Sequence, residues 1–186
     1  MICKNCRFFL KSEIKIERLG EIENLISIFR YSENKTVKDL IKLIKYKFGK
    51  EVLDVFDDLL LGCGKVLNQN WLVVPVPLHS KRQKYRGFNQ ANIIAEKICK
   101  MHNLVMWDCL VRIKETSQQA RLDKEGRIKN LLNSFVMREG FLVTEKCSNF
   151  LLIDDVSTTG STLNECAKAL KKAGANKVNA LVLARG

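Results

Sequence analysis

From Thr36 onward, apolar residues recur with a helical period. Val37, Leu40, Ile41, Ile44 and Phe48 keep the i, i+3, i+4, i+7 spacing of one buried stripe. Thr36, with Asp39 three residues on, reads as the N-cap of that helix. A second helical stretch runs from about Glu51 to Leu61, with Gly49 ahead of it and Gly62 and Gly64 behind. WLVVPV (71–76) is a short β-branched run that predicts a buried strand, which Pro75 and Pro77 prevent from continuing inside a sheet. A basic stretch follows, LHSKRQKYRGF, and helical period returns over 89–102. WDCLVRI (107–113) predicts a strand, 114–127 a polar loop or weak helix start, and 128–138 a short helix and the strand SFVM. NFLLIDD (149–155) is a strand ending in two acids, a helix follows over about 162–172, and KVNALVLA (177–184) is the last strand. Residues 1–35 carry no pattern that assigns them.

Strands separated by helices predict an α/β fold with a mostly parallel, twisted sheet flanked by helices. Ligands of such sheets bind at the carboxyl ends of the strands. Two segments leave carboxyl ends here and carry unusual chemistry, 77–87 and 154–162.

At 186 residues and 46% apolar content the chain can bury a core without disulfide or metal staples. No apolar run reaches the ~20 residues of a membrane span, and MICKNCRFFL has no signal-peptide pattern, so a cytoplasmic protein is expected. The formal charge is +12, and residues 71–130 hold 12 basic against 5 acidic side chains. Such a surplus favours anionic partners, phosphorylated metabolites or nucleic acid, although a lysine-rich solvated surface has the same composition. The 7 cysteines, without a secretory signal, read as free thiols.

The most informative stretch is NFLLIDDVSTTGSTL. A hydrophobic strand delivers Asp154 and Asp155, and Val156, Ser157, Thr158, Thr159, Gly160, Ser161 and Thr162 lead into a helix start. A helix N-terminus offers unpaired N–H groups and the positive end of the dipole, which suits one phosphate group. Hydroxyls can add donors, and Gly160 allows close backbone approach. Two carboxylates repel phosphate but can accept hydrogen bonds from ribose hydroxyls. The combination describes a ribose 5-phosphate pocket with Asp154 and Asp155 as candidate catalytic residues; taken singly, the same residue types would only cap a helix. Neither a P-loop nor a GxGxxG pattern occurs.

The full order of strand, acid pair, TG and hydroxyl-led helix resembles the phosphoribosyl pyrophosphate signature of type I phosphoribosyltransferases. VPVPLHSKRQKYRGFNQA (74–91) and the set Arg112, Thr116, Gln119, Leu122, Arg127, Asn130 and Phe135 resemble the ComF family. The resemblance covers about 36–186 as a phosphoribosyltransferase-like domain and leaves 1–35 as a cysteine-containing extension.

The resemblance implies a type I phosphoribosyltransferase fold and binding of phosphoribosyl pyrophosphate. Mg²⁺ is expected mainly on substrate oxygens. His79, Ser80, Lys81 and Arg82 would form the pyrophosphate loop; the bland reading is a solvated basic loop. Arg86, Gly87, Asn89 and Gln90 read equally as site residues or as a turn and helix cap. The segment 114–127 would be a lid carrying Lys114 and Arg121 to the leaving pyrophosphate. An Asp found in purine-salvage relatives is replaced by Thr158, so no acceptor base is implied.

Many ComF proteins open with a zinc module of two CxxC pairs. Here only Cys3 and Cys6 form one, so zinc would need ligands from a second chain. The family also implies a role in natural competence, with single-stranded DNA or competence-machinery proteins as partners. Two alternatives stand beside a phosphoribosyltransferase: a single-stranded DNA binder on this scaffold, with Tyr85 and Phe88 set among Lys84 and Arg86, and a regulatory protein that binds the ligand without turnover.

Overall fold

The computed structural model of the chain describes residues 12–45, 49–114 and 131–186. Eight strands are present among them. β1 (Lys15–Leu19), β2 (Ile22–Arg30), β3 (Leu72–Pro75), β4 (Val105–Met106), β7 (Asn149–Ser157) and β8 (Lys177–Arg185) form one sheet in the order β1-β2-β8-β7-β3-β4. β5 (Leu110–Arg112) and β6 (Phe135–Met137) pair as a separate antiparallel ribbon. Every pairing in the main sheet is parallel except β1 with β2. The helices are α1 (Lys35–Ile44), α2 (Gly49–Leu53), α3 (Asp57–Gly62), α4 (Ser80–Arg86), α5 (Gln90–His102) and α6 (Ser161–Lys172).

The expected α/β architecture is therefore present, a mostly parallel sheet with apolar cores on both faces. β7 shows why its sequence is an unbroken apolar run: Leu151 and Ile153 enter the core beneath α1, α3 and α5, while Phe150 and Leu152 enter the one beneath α6. Burying one Leu or Ile side chain contributes roughly 1.5–3 kcal/mol. Pro75 lies past the last residue of β3 that pairs with β4, Val73, so its missing N–H costs no bond. No helix among the described residues is long and apolar enough to cross a membrane.

Residues 15–30, which no local pattern assigned, contribute two strands to the central sheet. β2 runs parallel to β8, and Ile26, Ile28 and Phe29 belong to the same core as α1. Their pattern is hard to read because β2 is buried at five consecutive positions, Leu25–Phe29. Helix α1 starts two residues earlier than expected. Asn34, with extended φ/ψ, is the N-cap and its Oδ1 accepts from Val37 N at 3.0 Å; Phe48 lies outside the described residues. The helix expected over 51–61 is broken by a 3₁₀ turn at Asp54–Phe56. That winding brings residues i and i+3 into line, and Lys97 of α5 bonds both Asp54 (2.7 Å) and Asp57 (2.8 Å). Of the strand expected over 107–113 only β5, Leu110–Arg112, is formed, and it pairs in the separate ribbon, while β4 just before the expected span ends the main sheet.

Candidate functional site

β3 and β7 are neighbours, paired from Leu72 with Phe150 to Pro75 with Ile153, so the segments leaving their carboxyl ends share one rim of the sheet. β7 is longer than expected and runs through Ser157. Asp154, Asp155, Val156 and Ser157 are thus strand residues, because β8 continues to pair alongside them to Arg185. The connecting loop shrinks to Thr158, Thr159 and Gly160, and α6 begins at Ser161 rather than at Thr162.

Strand alternation separates the two acids. Asp155 is 5% exposed. Its Oδ2 lies 3.5 Å from Lys45 Nζ and accepts from Gln90 Nε2 at 3.4 Å, while Oδ1 accepts from Val156 N at 2.9 Å. It ties β7 to the end of α1 and the start of α5. Asp154 is half-buried, and its Oδ1 accepts from Asp155 N at 2.8 Å. Burial pushes its carboxyl pKa well above the usual carboxylate range, the charge of Asp155 adds to that, and Lys45 opposes it. A hydroxyl donor or cation placed at this carboxylate would relieve the penalty.

The turn into α6 has Gly160 at φ +79°, in the left-handed region. Thr159 and Ser161 hydroxyls lie 2.8 Å apart, and Ser161 N donates to Thr159 Oγ1 at 3.4 Å. Thr158 is exposed and the Ser157 hydroxyl is buried without a hydrogen-bond partner. Thr162 is half-buried in the first turn.

The basic segment after β3 is a helix rather than a loop. His79 caps α4, its Nδ1 accepting from Lys81 N at 3.4 Å. Ser80, Lys81 and Lys84 are exposed, and Arg82 is half-buried. Gly87, at φ +80°, ends α4, and Asn89 caps α5 through Ala91 N at 3.0 Å while its Nδ2 donates to Val76 O at 3.0 Å. The turn-and-cap reading of Gly87 and Asn89 therefore holds. Gln90 does more: Arg86 donates to its Oε1 at 3.3 Å and its Nε2 reaches Asp155, which links α4 to the acid strand. Lys114 points elsewhere, its Nζ donating to Leu132 O at 2.7 Å, because β5 and β6 bring these positions together. Arg121 and nearly all of the expected lid lie outside the described residues, as do Cys3 and Cys6.

Arg112 was named only as part of a family segment, yet tertiary structure brings it into the site. Its guanidinium stands 5.4 Å from the Phe135 ring centre. Burial lowers its pKa, Arg82 lowers it further, and Cys166 and Asp154 raise it. Arg112 thus stands within electrostatic reach of both the cation of α4 and the acid of β7. Lys45 reaches Asp155 from an element far away in sequence, and Gln90, read equally as a site or a cap residue, reaches it too. The five cysteines Cys63, Cys99, Cys109, Cys147 and Cys166 are free. Burial pushes the thiols of Cys63, Cys99 and Cys109 up to about 11, so they are protonated at neutral pH. Among the described residues no group of three or more His, Cys, Asp or Glu is gathered to hold a metal.

Comparison with known proteins agrees with this architecture. Residues 109–186 match the phosphoribosyl transferase domain, a span that contains β7, the Thr158–Gly160 loop and α6. Competence protein F of Haemophilus influenzae is 37% identical over 117 residues, 61% of this chain and 49% of that protein. The chain thus spans about half the length of that relative. Competence protein ComFC of Bacillus subtilis is 28% identical over 191 residues, covering 99% of this chain and 72% of that protein. The DNA utilization protein YhgH of Escherichia coli is 32% identical over 115 residues, 61% of this chain and 48% of that protein. With its parallel sheet and its acid-bearing strand leading into α6, the chain has a type I phosphoribosyltransferase fold and is similar to the ComF and ComFC competence proteins.

Proposed function

We propose that the chain binds phosphoribosyl pyrophosphate at the adjoining ends of β3 and β7, and serves DNA uptake in natural competence. The relatives' names support the second part. The first rests on one observation: Asp154, half-buried and costly to ionise, lies on the strand that runs through the short Thr158–Gly160 turn, with its left-handed glycine, into a helix start. In this reading the N–H groups of the loop and of α6 take the 5-phosphate. Asp154 accepts from ribose hydroxyls, and Asp155 holds the strand in place through Lys45 and Gln90. Lys81, Arg82 and Arg112 face the pyrophosphate, where planar guanidinium groups suit phosphate oxygens. Mg²⁺ would neutralise the diphosphate, held mostly by substrate oxygens and water with Asp154 as the protein carboxylate at hand. Turnover would transfer the ribose 5-phosphate from its C1 to an acceptor, with pyrophosphate leaving and positive charge developing on the ribose beside Asp154.

Calorimetric titration of phosphoribosyl pyrophosphate with Mg²⁺ tests this. Wild type is expected to bind, and Asp154→Asn to bind at least about tenfold more weakly, the loss of a hydrogen bond to a charged group. A folded wild type that does not bind overturns the proposal.

A second reading has its own observation. Tyr85 is 92% exposed on α4, on the same short helix as exposed Lys81 and Lys84. An exposed ring among cations is a stacking platform for single-stranded nucleic acid, worth about 1–3 kcal/mol per base. Anisotropy with a labelled oligothymidylate should show salt-sensitive binding that weakens about tenfold in Tyr85→Ala. Equal binding by both proteins rejects this reading.

A further inference from the structure

The β1–β2 hairpin braces the Thr158–Gly160 loop and the start of α6 at three points, one of them through Arg185. First, Arg185 at the end of β8 donates to the carbonyl oxygens of Thr158 and, at 3.3 Å, of Ser157. Its Nε donates to Glu17 Oε1 of β1 at 2.6 Å, which holds the guanidinium in place. Second, Leu19 at the end of β1 lies over Gly160, where a Cβ would stand 2.2 Å from Leu19 Cδ2. Third, Asn164 in the first turn of α6 accepts from Glu21 N at 2.8 Å, and Gly20, at φ +55°, leaves room for that amide oxygen.

A trans peptide is planar, so its N–H points opposite to the carbonyl it shares. Drawing the carbonyls of Ser157 and Thr158 toward Arg185 therefore turns the N–H groups of Thr158 and Thr159 away from it. It also keeps two partial negative charges from facing an incoming anion. We propose that the hairpin is a working part of the anion site, with Glu17 and Arg185 as positioning residues that orient the Thr158 and Thr159 N–H groups toward a phosphate monoester. This rests on reading the loop as the 5-phosphate site. Neither residue touches the ligand. The hairpin thus couples the N-terminal strands to ligand affinity, and Gly160 is required both for its φ and for the space Leu19 occupies.

The test is a titration of the full chain with ribose 5-phosphate, following backbone amide resonances by ¹⁵N NMR. In wild type the Thr158 and Thr159 amides are expected to shift. In Arg185→Ala the affinity should fall about tenfold, as for loss of a charge-assisted hydrogen bond. Arg185→Lys should recover part of it, since an ammonium reaches one carbonyl more readily than two. Glu17→Gln, which leaves the arginine in place, should lose about threefold and decides the matter if Arg185→Ala does not fold. Wild-type affinity in folded Arg185→Ala, or in Glu17→Gln, overturns the clamp while leaving the phosphate site intact. No response of the wild-type amides to ribose 5-phosphate removes the phosphate site itself, and the clamp with it.

Discussion

At the end of β7 the chain is held on every side. Asp155 is bonded from α1 and α5, Arg185 grips two carbonyls, and Leu19 covers Gly160. At the end of β3, one strand away, α4 is a short helix of about two turns that presents Lys81, Lys84 and Tyr85 to solvent. The first region can position backbone N–H groups because its peptides are over-determined by neighbours. The second can present only side-chain charge, which is movable and screened by salt. A substrate spanning both would therefore be placed by β7 and neutralised by α4. Changes to the bonded and packed residues at this end of β7, Asp155 and Gly160, should cost stability and binding together, whereas changes at α4 should cost binding alone.

The sharpest break is expected from Gly160→Ala. The left-handed φ costs about 1–2 kcal/mol for an L side chain, and displacing Leu19 adds overpacking of ~1–3 kcal/mol. A loss of about 3 kcal/mol in denaturant unfolding is expected, with ligand binding lost as well. Next comes Asp155→Ala, which strands Gln90 and Lys45 at the junction of three elements. About 2 kcal/mol should be lost, read from the same unfolding curves.

Asp154→Asn, 1 residue away, should move stability in the opposite direction. The folded-state pKa of Asp154 is raised, so the native state binds more protons than the unfolded one, and stability falls as pH rises from the ordinary carboxylate value toward the raised one. That penalty grows through this window and is fully present above the raised value. The asparagine variant should gain about 1 kcal/mol there, lose this pH dependence, and bind ligand more weakly. Melting curves across that range check it, and a less stable variant at neutral pH would show that the carboxylate is relieved by partners within the fold. The smallest effect on stability belongs to Lys81→Ala, within ~0.5 kcal/mol of wild type. Its ligand affinity should still drop and should lose part of its salt dependence, which separates α4 from β7.

Much of this site was legible in one dimension. The acid pair, the hydroxyl-rich turn and the helix start lie within nine consecutive residues, Asp154–Thr162, so their chemistry appears in the order in which the chain presents it. The parallel sheet was legible too, because strands covered on both faces need continuous apolar runs, as in β7 and β8. The hairpin of residues 15–30 was not. Glu17, Arg18, Glu21 and Glu23 mask its strands, and five successive buried residues in β2 obscure the alternation.

The amino-acid sequence by itself determined the fold class, the acid-bearing strand and the anion-suited turn, since each depends on the period or adjacency of neighbouring residues. Only the tertiary structure decided that the two acids have different partners and that Gln90, Lys45 and Arg112 reach the site. The same holds for Arg185, which binds the loop's carbonyls under the hold of Glu17, 168 residues away. The physical reason is that burial and hydrogen bonding are properties of contacts between elements. A residue's type states what it can bond, and the packing of the sheet decides which partner lies within 3.5 Å.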